Sequence, residues 1–155
     1  MERFVPVEHE GNVQASDEEV DKVVAIYQEL LGAMFTDSEG KERPLTLKDF
    51  LFISPYNLQV ARLRARLGDT ARIGSVDKFQ GQEAPVTILS MGASFGEYGS
   101  RGLSFLLDRN RINVAISRAK CLAIVVGDPR IARTQADSLR EMDLINVFTR
   151  IVRTA

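Results

Sequence analysis

A turn rich in polar groups follows one apolar run. It reads Ser75-Val76-Asp77-Lys78-Phe79-Gln80-Gly81-Gln82-Glu83. Gly81 would let the backbone approach a ligand closely, and the Glu83 carboxylate can accept hydrogen bonds from a sugar hydroxyl. Phe79 can anchor the turn to the core. A polar turn with ordinary helix-capping acids fits this composition equally well, so these residues alone leave both interpretations open.

A second segment places arginines on a predicted helix. Residues 109–120 read RNRINVAISRAK, and helical spacing puts Arg111, Val114 and Arg118 on one face. The apolar stripe that would pack on a sheet consists of Ile112, Ala115, Ile116 and Ala119. A guanidinium that a packed helix holds rigidly suits phosphate oxygens. The alternative is a solvated basic face, which is the commoner fate of arginines on helices.

Apolar runs and helical patterns alternate along the rest of the chain. Short apolar runs predict buried strands at residues 50–53, 73–76, 86–89 and 121–126, and a weak alternation predicts a short opening strand at residues 4–7. Apolar residues at helical spacing predict helices that end at Gly32, at Gly68 and near Ala119, with one or two closing helices up to Val152. The polar stretch 36–44 predicts an exposed loop, and the glycine-rich stretch 92–102 a mobile one.

This alternation predicts an α/β fold in which helices cover both faces of a parallel sheet, as a single domain over residues 1–155. Ligands of such sheets bind beyond the carboxyl ends of the strands, so we expect the functional residues directly after each strand. At the start of the first helix, Ser16 and Glu19 predict a capping box. The Ser16 hydroxyl would accept from the Glu19 amide, and the Glu19 carboxylate would reach back to Ser16.

The overall composition limits the possible functions. The formal net charge is −1, so bulk electrostatic attraction cannot hold nucleic acid, and a few placed groups would have to do so. No apolar run approaches the roughly 20 residues of a membrane span, and charges interrupt the first ten residues where a signal peptide would be apolar. The single cysteine, Cys121, predicts a small core residue in a reducing compartment, the cytoplasm or the nucleus of a eukaryote.

The two polar segments resemble a known family. V-D-x-F-Q-G-x-E followed by N-V-A-x-S-R-A-K resembles motifs V and VI of superfamily 1 helicases, in the branch that contains the RNA helicases of nonsense-mediated decay and their DNA-acting relatives. Residues 53–56 with Gln59 resemble that branch's "TPY…Q" segment, and residues 16–20 the segment that opens its second lobe. The resemblance covers nearly the whole chain. It implies a RecA-like P-loop NTPase fold, as the second lobe of a larger ATP-dependent helicase.

The resemblance also implies roles for single residues. Arg118 matches the motif VI arginine that reaches across a lobe interface to the γ-phosphate of ATP, and Glu83 matches the acid that bonds the ribose. The other implied nucleotide-binding residues are Gln80, Gly81, Arg111 and, near the base edge, Asp17. The implied contacts to single-stranded DNA or RNA are Ser54, Pro55, Tyr56, Ser75 and Asp77. Arg111 would support either the helix or a phosphate.

Several expected parts of an NTPase are absent from the sequence. It contains neither a phosphate loop G-x-x-x-x-G-K-[ST] nor the acidic residue that binds the metal ion in such enzymes. The resemblance therefore implies that a first lobe holds most of the ATP and its Mg²⁺. The chain alone is then expected to be inactive. His9 has no cysteine or histidine partner for a metal and is expected at the surface, and no serine–histidine–acid pattern is visible.

Two alternatives remain. Many family members carry an aromatic–arginine pair near the start of this lobe, whereas residues 12–19 contain no arginine. Either Arg118 acts with another group, or this member hydrolyses ATP poorly. A catalytically degenerate lobe that serves as a nucleic-acid-binding or interaction module would fit the second case. A free-standing flavodoxin-like domain fits only the parallel-sheet pattern and leaves both motifs unexplained.

Overall fold

A computed structural model describes residues 1–79, 81–98 and 102–154. Gln80, one of the nucleotide-binding residues that the resemblance implies, lies outside the described residues. In the described part of the chain the strands are β1 (Glu2–Pro6), β2 (Met34–Thr36), β3 (Glu42–Pro44), β4 (Phe50–Ile53), β5 (Arg72–Gly74), β6 (Ala84–Ser90) and β7 (Ala119–Gly127). The α-helices there are α1 (Asp17–Leu30), α2 (Asn57–Leu67), α3 (Gly102–Leu106), α4 (Arg109–Ser117) and α5 (Leu139–Val152).

A parallel sheet forms the centre of the fold. Its strands lie in the order β1-β7-β6-β4-β5, and every neighbouring pair is parallel. The connections between them carry the helices, as parallel strands require. The predicted α/β fold with a parallel sheet is therefore confirmed. None of the helices in the described residues is long and apolar enough to cross a membrane.

The sheet separates two apolar cores. Successive side chains of a strand point to opposite faces, so Phe50 and Phe52 pack toward α1 and α2, whereas Leu51 and Ile53 pack toward α3, α4 and α5. All four side chains are fully buried. A strand covered on both faces must be apolar along its whole length, which explains why residues 50–53 read as a continuous apolar run.

The structure corrects three expectations about local structure. Residues 36–44 are not wholly a loop, because β2 and β3 pair as an antiparallel hairpin whose turn is closed by the Asp37 carboxylate. The strand expected over 73–76 ends at Gly74, and a short 3₁₀ helix, Val76–Phe79, follows it. Cys121 is exposed and is not a core residue.

A bidentate ion pair fixes the segment that leads into β4. Both Arg43 terminal nitrogens donate to the Asp49 carboxylate at 2.7 Å, and the Thr46 amide donates to it at 2.8 Å. The hydrogen bond from Arg43 is the largest cause that lowers the pKa of Asp49, to about 2. Because the folded state depresses this pKa, the stabilisation is present above the unfolded value and is lost as the pH falls through the folded one.

The variant Asp49→Asn is therefore expected to unfold more easily than wild type at pH 7. We expect a loss of about 1 kcal/mol, since the Arg43 side chain is 42% exposed and water screens the pair. The difference should shrink as the pH falls from about 4 to about 2. Urea unfolding of both chains across this range measures it. A difference that stays constant down to pH 2 would show that the charge of Asp49 is not its source.

Candidate functional site

A pocket lies at the carboxyl edge of the sheet. It has a volume of about 200 Å³ and is bounded by the segments that follow β4, β5 and β6 and by α4. Three of the residues predicted to bind nucleic acid line it, Pro55, Ser75 and Asp77, together with Arg111. Because all these strands are parallel, their carboxyl ends meet at one edge, and residues far apart in sequence come together there.

The loop after β4 presents only one of its three predicted residues to this pocket. The Ser54 side chain is completely buried, and its hydroxyl accepts from the Tyr56 amide at 3.4 Å. Tyr56 is also buried, with its ring 5.5 Å from that of Phe105. Pro55 is half-buried and lines the pocket. Ser54 and Tyr56 therefore hold the loop in place, while Pro55 forms its accessible surface.

A groove continues from this pocket along α4. Its volume is about 240 Å³, and it is lined by Val76, Asp77, Asn110, Arg111, Val114 and Arg118. Asp77 and Arg111 line both the pocket and the groove. The carboxylate of Asp108 caps the start of α4 by accepting from the Arg111 amide at 2.9 Å. This helix therefore carries the two arginines along a single connected surface.

Arg118 has an unsatisfied donor. Its Nε is buried and has no hydrogen-bond partner within residues 1–79, 81–98 and 102–154. In that part of the chain, Arg118 also forms no ion pair. A buried donor without a partner costs about 1–3 kcal/mol, so such groups are rare in native proteins unless a ligand meets them. Within the described residues, the Arg118 side chain is therefore not committed to a protein acceptor.

Arg118 and Glu83 lie at the other edge of the sheet. Glu83 immediately precedes β6 and Arg118 immediately precedes β7, and the Ala84 amide donates to the Arg118 carbonyl oxygen at 3.0 Å. The expectation that all functional residues follow the carboxyl ends of strands was therefore wrong for these two. The helix α4 crosses between the edges, so its groove connects the Arg118 region with the pocket beside Pro55.

Two other predicted residues stand apart from this groove. Gly81 is exposed and has a φ of +76°, a conformation that favours glycine, with nothing within 4 Å of the position of a Cβ atom. Asp17 lies in the first turn of α1, where its carboxylate accepts from Arg62 at 3.1 Å. Neither of them lines the groove or the pocket.

A buried polar network, which sequence reasoning missed, lies behind the carboxyl edge. The side chains of His9 and Glu19 are completely buried and are joined at 2.7 Å between Nε2 and Oε2. The Glu19 carboxylate also accepts from the Ser90 hydroxyl at 2.8 Å and from the Gly92 amide at 3.0 Å. The expectation of an exposed His9 was wrong, because the loop before α1 folds over the end of β6 and buries the imidazole.

The same network contains a serine–histidine–acid chain that was not expected. The Ser94 hydroxyl lies 2.6 Å from His9 Nδ1, and His9 Nε2 contacts Glu19. Ser94 is only 1% exposed and lines neither the pocket nor the α4 groove. A hydroxyl that no substrate can reach does not act as a nucleophile. We therefore infer that these three side chains hold the loop after β6 in place.

Only half of the predicted capping box is present. The Ser16 hydroxyl accepts from the Glu19 amide at 3.1 Å, as expected. The Glu19 carboxylate is engaged in the buried network, and the Ser16 amide donates instead to the Gln59 side-chain oxygen at 2.8 Å. Gln59 also donates to the Ser90 hydroxyl at 2.9 Å. The network therefore links the starts of α1 and α2 to the end of β6.

Gly92 is packed tightly into this region. It has a φ of +79°, and a Cβ atom would lie 3.3 Å from the Tyr56 ring and 3.4 Å from Gln59. Gly96 has a nearly identical φ of +80°, with nothing within 4 Å of the position of a Cβ atom.

Alanine variants of Gly92 and Gly96 both carry the cost of a left-handed backbone, but only Gly92→Ala adds crowding. We expect Gly92→Ala to lose about 1 kcal/mol more than Gly96→Ala in urea unfolding. Equal losses would show that the contact is easily relieved.

The fold and the site together define a RecA-like α/β lobe. The family model that matches the chain is AAA_12, described as an AAA domain, over residues 6–130. The chain belongs to this family, and it is a superfamily 1 helicase lobe of the nonsense-mediated-decay branch.

Curated relatives carry helicase names or the name of a regulator of nonsense transcripts. The putative helicase mov-10-B.1 of Danio rerio is 34% identical over 131 residues, covering 75% of this chain and 13% of that protein. The DNA polymerase alpha-associated DNA helicase A of Schizosaccharomyces pombe is 41% identical over 90 residues, covering 56% of this chain and 13% of that protein. The regulator of nonsense transcripts 1 homolog of Drosophila melanogaster is 37% identical over 84 residues, covering 54% of this chain and 7% of that protein. The chain thus spans 13% or less of each of these relatives.

Proposed function

We propose that this chain is the second motor lobe of an ATP-dependent helicase that moves along single-stranded DNA or RNA. The observation that carries the proposal is that Arg118, whose Nε has no partner in the described residues, lines a groove that continues through Asp77 and Arg111 into the pocket beside Pro55. One surface of the lobe thereby connects an anion-binding group with a strand-facing loop. This is the connection that a motor needs between hydrolysis and grip.

Arg118 is the proposed catalytic residue. When a first lobe binds Mg-ATP and this lobe closes on it, the guanidinium would approach the γ-phosphate and neutralise the charge that grows on the transferred phosphoryl group. Glu83, which is exposed beside the backbone of Arg118, would accept hydrogen bonds from the ribose. Gly81 and Gln80 belong to the same nucleotide-facing segment by their family match. The role of Asp17 near the base stays a prediction.

The first lobe would hold the magnesium ion. Within the residues that the structure describes, there is no group of three or more histidine, cysteine, aspartate or glutamate side chains that could bind a metal. The Arg118 Nε has no hydrogen-bond partner in the described residues, and a guanidinium cation suits a triphosphate and repels a metal. This chain would contribute to the nucleotide site through triphosphate and ribose contacts and, by the prediction for Asp17, near the base.

The nucleic-acid strand would lie against the carboxyl edge. Pro55, Ser75 and Asp77 line the pocket there, and the buried Ser54 and Tyr56 support the loop. We expect most contacts from the whole protein to reach backbone phosphates, so binding should be largely independent of sequence and weakened by salt. Asp77 and Arg111 lie between strand and nucleotide, and a shift of α4 on hydrolysis would reach both.

ATP hydrolysis by the full-length protein tests this proposal. The rate is measured without nucleic acid and with saturating single-stranded DNA or RNA of equal length. We expect strong stimulation by one or both strands, and the stronger activator identifies the substrate. Hydrolysis that no strand accelerates would contradict a motor that couples the two sites.

The alternative, a degenerate lobe that binds nucleic acid without catalysis, has one observation in its favour. Residues 12–19 contain no arginine that would act beside Arg118 on the γ-phosphate. Strand binding by a full-length protein that shows no turnover of ATP would favour this alternative. Stimulated turnover would exclude it.

A further inference from the structure

The pocket beside Pro55 combines an apolar floor with a polar rim. Its floor includes Leu89, Met91, Leu106 and Ile112, each 4% exposed or less. Its rim carries the Asn57 amide, the Ser75 hydroxyl, the Asp77 carboxylate and the Arg111 guanidinium. Protein interiors are normally packed without such spaces. An open apolar cavity with a few convergent polar groups is the usual form of a small-molecule site.

The size and charge of the pocket select its ligand. Its volume of about 200 Å³ is below the roughly 300–1,000 Å³ of sites for drug-sized molecules, so it suits a single flat ring system. The Asp77 carboxylate is exposed and, in the described residues, accepts no hydrogen bond and forms no ion pair. A phosphate at this rim would meet the Asp77 carboxylate as well as the Arg111 guanidinium, whereas an amino group would donate to that carboxylate.

Arg111 does not neutralise Asp77. Its guanidinium lies over the Phe105 ring, 4.3 Å from the centroid, and so forms a flat wall of the pocket. Guanidinium and aromatic planes are surfaces on which nucleobases stack in single-strand sites. The apolar floor, the flat wall and the free acceptor match the face and the edge of a base.

We propose that this pocket takes one base of the bound single strand, turned away from the backbone, and that the Asp77 carboxylate accepts from the amino group of that base. The inference rests on the proposed function, since a strand must lie along the carboxyl edge for its base to enter. It adds a preference for bases with an amino group to binding that is otherwise independent of sequence.

The test compares two DNA strands whose bases differ in whether they carry an amino group. Affinities of the full-length protein for 12-nucleotide oligo-deoxycytidine and oligo-deoxyuridine are measured by fluorescence anisotropy. Cytosine presents an amino donor where uracil presents a carbonyl oxygen. We expect wild type to bind the cytosine strand about fivefold or more tightly, as for one well-made contact to a base edge. An abasic site in the cytosine strand should remove this tighter binding when it replaces the nucleotide whose base enters the pocket.

Two variants separate the pocket from general charge effects. Asp77→Ala should bring the two affinities to within about twofold, because the acceptor is gone. Asp69→Ala removes an exposed carboxylate that does not line the pocket and should keep the wild-type preference. The inference is overturned if wild type does not prefer cytosine, if the preference survives Asp77→Ala, or if Asp69→Ala abolishes it equally.

Binding of ADP distinguishes the strand from the nucleotide as the source of the base. If the pocket takes a base of the strand, Asp77→Ala should bind ADP as wild type does. Weaker binding of ADP by Asp77→Ala, with the cytosine preference unchanged, would assign the pocket to the base of ATP and overturn the inference. Equal stimulation of ATP hydrolysis by both strands, with equal affinities, would reject the base pocket and leave the motor lobe intact. Failure of every strand to bind or stimulate would reject both.

Discussion

Replacement of Arg118 by alanine is expected to lower the strand-stimulated kcat for ATP hydrolysis by a hundredfold or more. Arginines that stabilise the charge on a transferred phosphoryl group contribute ~10³–10⁵ in rate, and this variant should fall within that scale or somewhat short of it. Affinity for the single strand should change little, because Arg118 lies at the amino edge of the sheet, away from the pocket beside Pro55. Steady-state hydrolysis by the full-length protein, with strand affinity measured in parallel, checks both parts.

Two further variants define what the arginine supplies. Arg118→Lys keeps a positive charge but lacks the planar fork that matches phosphate oxygens, so it should recover only part of the rate. Arg140→Ala removes an exposed arginine of α5 that lines neither the pocket nor the groove, and it should leave kcat unchanged. A wild-type rate in Arg118→Ala would remove the catalytic assignment and favour the binding module.

Loss of the Glu19 carboxylate is expected to produce the largest loss of stability in this chain. Glu19→Ala would leave the buried His9 ring, the Ser90 hydroxyl and the Gly92 amide without their acceptor. Breaking a buried pair by removing one partner typically costs about 3–5 kcal/mol. We expect a loss of this size in the free energy of unfolding, measured with urea. Such a loss is a large fraction of the stability of an ordinary domain.

Neighbouring and conservative variants show whether burial is the cause. Glu18→Ala removes the next carboxylate along α1, which is exposed and accepts only weakly, at 3.2 Å or more, from Asn12. It should cost less than about 0.5 kcal/mol, as surface substitutions usually do. Glu19→Gln keeps the size and one acceptor and should lie between the two. If Glu18→Ala and Glu19→Ala unfold at the same urea concentration, the network does not stabilise the fold.

The framework of the fold was predictable because its signals are local. A continuous apolar run such as residues 50–53 is compatible only with burial on both faces, and the structure confirms it. The Ser16 hydroxyl at the start of α1 and the Asp108 carboxylate at the start of α4 act on amides three residues away, so their short range makes them readable from sequence.

The error about His9 has a different origin, since its burial depends on a partner distant in the chain. His9 is buried by Glu19 and by Ser94, which lies 85 residues away, and nothing in its immediate neighbours indicates this. Cys121 lies in an apolar run but is exposed, so an apolar run alone does not report burial.

The candidate site was predictable as a set of residues but not as a geometry. The family motifs identified Arg118, Asp77 and Pro55 as candidates. In the structure, Asp77 shares the pocket with Pro55 and the groove with Arg118. The spacing of residues on α4 predicted that Arg111 and Arg118 share a face, and both line the groove. The burial of Ser54 and Tyr56 depends on the packing of α2 and the loop after β6, which no local pattern reports.

Contact between Arg118 and the γ-phosphate should be visible in nucleotide binding. Dissociation constants of the full-length protein are measured for ADP and for a non-hydrolysable ATP analogue, in wild type and in Arg118→Ala, with the strand present. We expect the variant to bind ADP as wild type does and to bind the ATP analogue about tenfold or more weakly, as the loss of a charged hydrogen bond predicts. An unchanged affinity for the analogue, or an equal loss for both nucleotides, would contradict the assignment of Arg118 to the γ-phosphate.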